Sequence, residues 1–377
     1  MKKQKIILNI LTFSMGGACA WAGLDVIERI FPNKNLDLPA VYIGTLVVMV
    51  IMYIMILLHT FIHETGHMIF GLLTGYKFSS IRFLNFMFIK GKDGAIRLKK
   101  YKISGTAGQC LMLPPEMDNG TYPYLLYNMG GCILNLLTGI AAIVLYNITY
   151  GGIVSIIWLI AGIVGVFTCL INGIPVKPVS NDGYNTLVFS NSKTALKTFW
   201  IQLNIVERQS RGIAATDMPD EWFKYLEDIC EFDNLINVSG YVTAIGYYIE
   251  KRDFEKVKEM CIYANENAKE ILPVHEGIVK SENLFVHLVT DMDKDRIEEL
   301  TGKKCMALYK LLEGQISMYR VWYAYYKLYK ADSQKAQKYL DMVNKAEKTY
   351  PYSADFAVEK QLLAYVDDIA CNNNVAE

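Results

Sequence analysis

Long apolar runs separated by short polar stretches occupy the first half of the chain. Ile6–Leu24 contains 19 residues without Asp, Glu, Lys or Arg, and Leu38–His63 contains 26. A third run of 58 such residues lies between Asp118 and Lys177, interrupted by a polar, glycine-containing turn at 146–152. About 20 apolar residues cross the hydrocarbon core of a bilayer. The pattern therefore predicts four transmembrane helices, at about 6–24, 40–62, 122–146 and 153–174.

The second half of the chain has a different pattern. From about residue 191 the apolar positions recur with helical periodicity, which predicts a soluble all-α domain at 191–377. Tyr248–Val257 resembles Lys327–Ala336, 79 positions later. Repeated helix-turn-helix units of this kind are similar to tetratricopeptide hairpins, which present a concave face to peptides or proteins. A protein partner of this domain is therefore expected.

A short β-hairpin is predicted at about 76–103, between the second and third spans. Its two strands are rich in β-branched and aromatic residues, and Asp93-Gly94 supplies a hairpin turn signal. One hypothesis is that the backbone of a substrate adds to the hairpin edge as an extra strand. The alternative is that the basic hairpin lies on anionic lipid headgroups.

Charge separates the same two halves of this 377-residue chain, which is 52% hydrophobic with a mean hydropathy of +0.19. Residues 1–190 contain 14 Lys+Arg and 8 Asp+Glu, a net +6, and the remainder contains 24 and 30, a net −6. A single soluble fold and a nucleic-acid-binding protein are both excluded. Lysines before the first span and basic residues after the second predict a multi-pass cell-membrane protein with both termini cytoplasmic.

Three of the five histidines, His59, His63 and His67, lie within nine residues at the end of the second span. Positions i and i+4 of a helix face the same way, so His63 and His67 can share one metal ion. Zinc held by two imidazoles and a carboxylate keeps an open position for water. Glu64, beside this pair, is placed to take the proton of that water.

The third ligand is expected from the segment after the fourth span, because the second and fourth spans end on the same side. Asp182 lies there, after prolines and glycines that stop the helix. His59 is about 12 Å from His67 along the helix, too far to share its ion. It lines the cavity, contacts the ligands from behind, or is an ordinary interfacial histidine. The eight scattered cysteines are interpreted as reduced and mostly structural, without a cysteine-based metal site.

Together these residues resemble the site-2 protease family of intramembrane zinc metalloproteases. The resemblance covers about residues 40 to 190 and rests on three blocks: His63-Glu64-Thr65-Gly66-His67, Gly130-Gly131-Cys132-Ile133-Leu134-Asn135, and Asn172 with Pro175 and Asp182-Gly183.

The resemblance implies that His63, His67 and Asp182 bind one Zn²⁺ per chain and that Glu64 activates the water. It also implies that Asn135 and Asn172 line the site or contact the substrate backbone. Two features depart from the family: ten positions separate Asn172 from Asp182, and Gly130-Gly131 replaces the usual glycine-proline. No strand-rich PDZ pattern is present.

The predicted fold is thus mainly α: a membrane-embedded metalloprotease domain at 1–190 with a small cytoplasmic hairpin, then the helical-repeat domain. The leading function is an intramembrane zinc endopeptidase that cleaves a membrane-spanning or membrane-associated substrate, such as a regulator, a signal-peptide remnant or a peptide precursor. The alternative is a non-catalytic membrane adaptor that binds partners through the helical domain. A transporter is less favoured because the four spans show no internal repeat.

Overall fold

The computed structural model describes residues 2–30, 38–101, 106–149, 152–177, 180–230, 232–268 and 271–376. In chain order its main elements are α1 (Lys2–Ile30), α2 (Leu38–Leu73), β1 (Lys77–Phe83), β2 (Phe86–Lys90), β3 (Ile96–Lys100), β4 (Gly108–Leu113), α3 (Tyr124–Ile148), α4 (Gly152–Gly173), α5 (Asp182–Asn191), α6 (Lys193–Ser210), α7 (Asp220–Glu227), α8 (Leu235–Lys251), α9 (Phe254–Asn267), α10 (Pro273–Val289), α11 (Lys294–Leu300), α12 (Lys303–Tyr309), α13 (Ile316–Ala324), α14 (Ser333–Ala346) and α15 (Ser353–Ala376).

Internal contacts divide the chain into two compact units. The first comprises Met1–Phe78 and Ala107–Asn191, and the second comprises Ser79–Thr106 and Ser192–Glu377. The end of the first unit at Asn191 lies next to the boundary expected from composition. The hairpin segment, which the sequence placed with the membrane-embedded half, groups with the helical unit.

Three helices of the first unit are long and apolar enough to cross a membrane, at Val41–Leu73, Tyr124–Ile148 and Ile153–Gly173. They correspond to the second, third and fourth predicted spans. The first predicted span, 6–24, is helical as part of α1. Several side chains of α1 lie outside the described residues, so a fourth membrane crossing stays a prediction.

Packing in the first unit places apolar side chains both inside and outside the helix bundle. α1 contacts α2 and α4, and α3 packs along α2 and α4. Cys19, Val48 and Ile160 belong to one buried cluster between these helices. Large apolar side chains such as Tyr42 and Leu46 on α2 are instead more than half exposed, which suits a surface that faces lipid rather than water.

The predicted hairpin is confirmed in the second unit and is more elaborate than expected. β2 pairs antiparallel with β3, with Lys90 opposite Ile96, and β1 pairs antiparallel with β2. The hairpin predicted from the sequence has one strand where the structure has both β1 and β2. They are separated by a turn in which Leu84 has a positive φ of 52°, and no glycine or proline marks this turn. The last predicted positions of the hairpin, 102–103, lie outside the described residues.

The hairpin packs onto the helical part of its own unit. Met87 and Ile89 are buried in a small cluster with Tyr352, against Tyr101 and Val206. The ring of Tyr101 also makes an edge contact with that of Tyr352, 6.1 Å between centroids. One face of the hairpin is therefore occupied by protein.

The two similar sequence stretches form two turns that share a left-handed residue before the second helix. Arg252 and Ala331 both have positive φ values, 59° and 48°. Each is followed by an aspartate that caps the next helix: Asp253 accepts a hydrogen bond from the backbone N–H of Lys256, and Asp332 accepts one from that of Lys335. A helix, a turn and a second helix are thus present at both places, while the repeat and its kinship to tetratricopeptide units stay predictions.

The core of the helical unit contains a buried ion network. Arg320 is fully buried, and one of its terminal nitrogens donates to both carboxylate oxygens of Glu282, at 2.8 Å each. Its Nε donates to Glu359 at 2.7 Å. The guanidinium also lies over the ring of Phe285, 4.0 Å from the centroid. These contacts join α10, α13 and α15.

Candidate metal centre

The histidine pair and the neighbouring glutamate lie on one uninterrupted helix. α2 continues 11 residues beyond the predicted end of the second span, at residue 62. His63, Glu64 and His67 are all buried, with 7 to 9% of their surface exposed. The Nε2 atoms of His63 and His67 are 3.1 Å apart. The spacing expected from the sequence therefore places two ring nitrogens together.

Asp182 completes the group from the start of α5. Its Oδ2 atom lies 3.0 Å from Nε2 of His63 and 3.5 Å from Nε2 of His67. Burial raises the pKa of this carboxyl, and the rings of His67 and His63, when they are protonated, lower it below its usual range. A cation at this position, whether a proton on a ring or a metal ion, keeps Asp182 ionised.

The loop before Asp182 is shaped mainly by Asn181. The side-chain nitrogen of Asn181 donates to the carbonyls of Ile171 and Ile174, at 2.7 Å each, which satisfies the end of α4. Its side-chain oxygen accepts from the backbone N–H groups of Val176 and Tyr184, at 3.2 and 3.0 Å. This asparagine therefore ties the end of α4 to the beginning of α5 and directs Asp182 toward the histidines.

Glycines allow side chains and backbone segments of this site to lie close to one another. A Cβ atom at Gly131 would lie 2.5 to 2.7 Å from atoms of the His63 ring. One at Gly183 would lie 2.6 Å from the carbonyl carbon of Gly173. Gly131, the second residue of the Gly130-Gly131 pair, thus leaves room for the ring of His63.

Hydrogen bonds on the outer side of the rings orient the two histidines. Nδ1 of His67 lies 2.8 Å from the carbonyl oxygen of Tyr127. A carbonyl can only accept, so Nδ1 carries a hydrogen, and Nε2 of a neutral His67 ring then keeps its lone pair. Nδ1 of His63 contacts the side-chain amide of Asn135 at 3.1 Å. Tyr127 is itself fixed by its hydroxyl, which donates to the carbonyl of Cys110 in β4.

The donor set fits a divalent cation. Two imidazole nitrogens and one carboxylate oxygen lie 3.0 to 3.5 Å from one another. Ligands of a tetrahedral zinc site with bonds of about 2.05 Å would be separated by about 3.3 Å. Three atoms with lone pairs converge on one point, an arrangement that a metal ion would stabilise.

Glu64 lies beside this group against the start of β4. A Cβ atom at Gly108 would lie 2.6 Å from Cγ of Glu64. Only a residue without a side chain leaves room there for the buried carboxyl. Close packing against Gly108 thus confines the side chain of Glu64, which neighbours His63 in the sequence.

A cysteine also belongs to this region, contrary to the expectation that the cysteines have no part in a metal site. Cys132 is buried, and its Sγ lies 3.7 Å from Oδ2 of Asp182. His63, Cys132 and Asp182 form a group that can hold a metal ion. The sequence does not indicate this proximity, because 50 positions separate Cys132 from Asp182.

The remaining predicted residues differ in their placement. Asn135 is fully buried and contacts both His63 and His59. The amide nitrogen of Asn172 instead donates to the carbonyl of Thr168 in its own helix, at 3.1 Å. The proposed substrate contact of Asn172 stays a prediction, and the structural role in this loop belongs to Asn181.

Comparison of the chain with protein-family models, with curated proteins and with solved structures gave no match.

Proposed function

We propose that this protein is a membrane-embedded zinc endopeptidase of the site-2 protease type. Its substrate would be a membrane-spanning or membrane-associated peptide, such as a regulator, a signal-peptide remnant or a peptide precursor. The observation that carries the proposal is the convergence of His63 Nε2, His67 Nε2 and Asp182 Oδ2 beside a buried glutamate. The helix that carries both histidines is long and apolar enough to cross a membrane.

In this proposal each residue has a separate task. His63, His67 and Asp182 hold the ion, and the carbonyl of Tyr127 keeps the lone pair of His67 directed at it. Bound zinc would supply Lewis acidity and lower the pKa of a water to about 7. Glu64 accepts the proton of the attacking water and delivers it to the leaving amine. Asn135 holds His63 from its other side.

Substitution Glu64→Gln tests this assignment, because it removes the base and leaves the metal ligands in place. We expect about one zinc per chain in both proteins and a loss of peptide cleavage of at least about 100-fold in the variant. Zinc content is measured on the purified chain, and cleavage is measured on single-span reporter peptides in proteoliposomes. Glu116→Gln, at an exposed glutamate of the same unit, is the matched control. Wild-type cleavage by the Glu64 variant would refute the proposal.

The inactive variant also offers a way to find the substrate. A peptide that binds but is not cut should remain with Glu64→Gln during purification from its native membrane. The same peptide should be missing or shortened in material purified with the wild-type chain. Identification by mass spectrometry of both fractions would define the cleavage position.

A non-catalytic adaptor is the second candidate, and Cys132 is the observation that favours it. Four protein ligands close a zinc site and make it structural, whereas a catalytic site keeps an open position. The proximity of Cys132 to Asp182 and His63 offers such a fourth ligand. In the adaptor, the helical unit would bind partner proteins and the metal would only stabilise the bundle.

Cobalt substitution separates the two candidates. A thiolate bound to Co²⁺ gives a strong near-ultraviolet charge-transfer band, which Cys132→Ser would abolish. The endopeptidase predicts a wild-type spectrum without that band. A band that disappears in the serine variant would favour the closed site and the adaptor.

A further inference from the structure

A continuous chain of buried polar side chains leads away from the metal centre. Asn135 is fully buried, and His59 is only 2% exposed. Nδ1 of His59 lies 3.0 Å from the side-chain oxygen position of Asn135, and Nδ1 of His63 lies 3.1 Å from its nitrogen position. His59 further contacts the backbone of Ala161 in α4. The chain thus joins α2, α3 and α4.

The hydrogens in this chain can be assigned from the ligand end. A neutral His63 that offers the lone pair of Nε2 to a cation must carry its hydrogen on Nδ1. That hydrogen needs an acceptor, which is the oxygen of Asn135. The two ends of an amide exchange places by a 180° rotation that preserves the contacts. The amide nitrogen then faces His59 and donates to its Nδ1.

The contact at the far end of this series of hydrogen bonds, between His59 and Ala161, is consistent with the same direction of donation. With Nδ1 of His59 accepting, its hydrogen lies on Nε2, and this leaves the neutral ring one donor for its contact with the backbone of Ala161. Every donor then meets an acceptor, from Ala161 through His59 and Asn135 to His63. In the opposite direction, His63 would carry a hydrogen on Nε2, pointing at the position of the cation.

We propose that His59 is a positioning residue: through Asn135, it holds His63 in the tautomer whose Nε2 lone pair faces the metal. The inference rests on the proposed metal centre and explains the one histidine of the cluster that cannot reach the ion. His67 provides an internal contrast, because the carbonyl of Tyr127 sets its tautomer without His59.

Zinc affinity of the full-length chain in detergent micelles tests the role of His59. His59→Phe removes both ring nitrogens and should weaken zinc binding about 10- to 100-fold, the usual effect of losing a hydrogen-bond partner behind a metal ligand. His59→Gln keeps an acceptor for the amide of Asn135 and should stay within about threefold of wild type. Thr60→Val, which removes only a hydroxyl bonded to Ile56 in the same helix, is the matched control.

A second background shows whether His59 acts through Asn135. Asp at position 135 can only accept from His63 when ionised, so it sets the tautomer without help. In Asn135→Asp, the substitution His59→Phe should therefore leave zinc affinity unchanged. An equal loss in both backgrounds, or a loss in His59→Gln as large as in His59→Phe, would overturn the proposal and indicate simple packing.

The nitrogen-15 NMR signals of the histidine rings decide the question without metal. In the metal-free wild type, both His63 and His67 should carry hydrogen on Nδ1. In His59→Phe, His63 should become a mixture of tautomers while His67 remains unchanged. A wild type that binds no zinc but shows these signals would refute the metal centre and keep the role of His59. An unchanged His63 in the variant would refute that role.

Discussion

Gly131 has no side chain at the point where α3 passes the ring of His63. Because an added methyl group would lie 2.5 to 2.7 Å from ring atoms, Gly131→Ala must displace either the ring or the helix. We expect zinc affinity to fall at least about tenfold, and the free energy of unfolding to fall by about 1 to 3 kcal/mol from overpacking. Metal titration and thermal unfolding of the purified chain measure the two effects.

Gly17→Ala is the control for Gly131→Ala, since an added Cβ at Gly17 meets nothing within 4 Å. It should preserve zinc binding. If Gly131→Ala also binds zinc normally, α3 does not confine the ring of His63 as the packing indicates, and the proposed ligand geometry is wrong.

Local spacing and side-chain chemistry explain which residues of the site could be predicted from the sequence. The i, i+4 relation fixes the pairing of His63 and His67 once the segment is helical. Asp182 followed from the order of the spans and from the resemblance. Asn181 and Cys132 were missed because their roles depend on an irregular loop path and on contacts between distant parts of the chain, which no local pattern encodes. Tyr127 acts on His67 through its backbone carbonyl, a group that every residue has.

At the level of elements, β3 offers an edge suited to the predicted strand addition. β3 is the edge strand of the sheet. Gly91 donates to Ala95 and Tyr101 donates to Asn85, so alternation in an antiparallel pair directs the N–H groups of Ile96 and Leu98 away from β2. Proline at these two positions removes the outward donors without breaking the ladder.

We therefore expect the double variant Ile96→Pro/Leu98→Pro to lower kcat/KM for reporter peptides roughly tenfold, since each lost hydrogen bond is worth about 0.5 to 1.5 kcal/mol. Ile96→Thr/Leu98→Thr keeps both N–H groups and is the control. Unchanged cleavage by the proline variant would contradict strand addition. Weaker binding to anionic vesicles would then support the lipid-headgroup alternative.

Hairpin and helices differed in how well their boundaries could be foreseen. The Asp93-Gly94 signal located the turn between β2 and β3, where Gly94 has a φ of 79°. The turn at Leu84 has no such residue, so the sequence pattern predicts a single strand across β1 and β2. For α2, charge marks where the apolar run ends at Glu64, but the helix continues to Leu73 because packing against α3 and β4 buries its polar end.

At the scale of the whole molecule, one partly buried acid makes the stability of the helical unit depend on pH. Burial, together with the carboxylates of Glu250 and Glu359, raises the pKa of Asp355 to about 7. The unfolded value is about 3.9, so the folded chain binds this proton more tightly. Protonation of Asp355 contributes to the free energy of unfolding in full below about pH 4. This contribution, at most about 4 kcal/mol, is lost as the pH rises through about 7.

Asp355→Asn should remove this part of the pH dependence. Urea unfolding of the full chain in micelles, followed by tryptophan fluorescence between about pH 4 and pH 8, compares the variant with wild type. The difference between them should grow with pH in favour of the asparagine. Asp295→Asn, at an exposed position, is the control. Parallel curves for Asp355→Asn and wild type would show that this carboxyl does not titrate in the range.

The length of α2 carries a consequence for the lipid environment. Its 36 residues span about 54 Å, whereas the hydrocarbon core measures about 30 Å. Along the helix axis His63 lies about 33 Å from Val41. The histidine pair is therefore at a fixed distance from the other end of this helix. We therefore expect acyl-chain length to set the depth of the histidine pair in the bilayer. Hydrophobic mismatch in thin bilayers is relieved by tilting of the helix. This tilt would determine whether the pair lies among hydrocarbon chains or among headgroups.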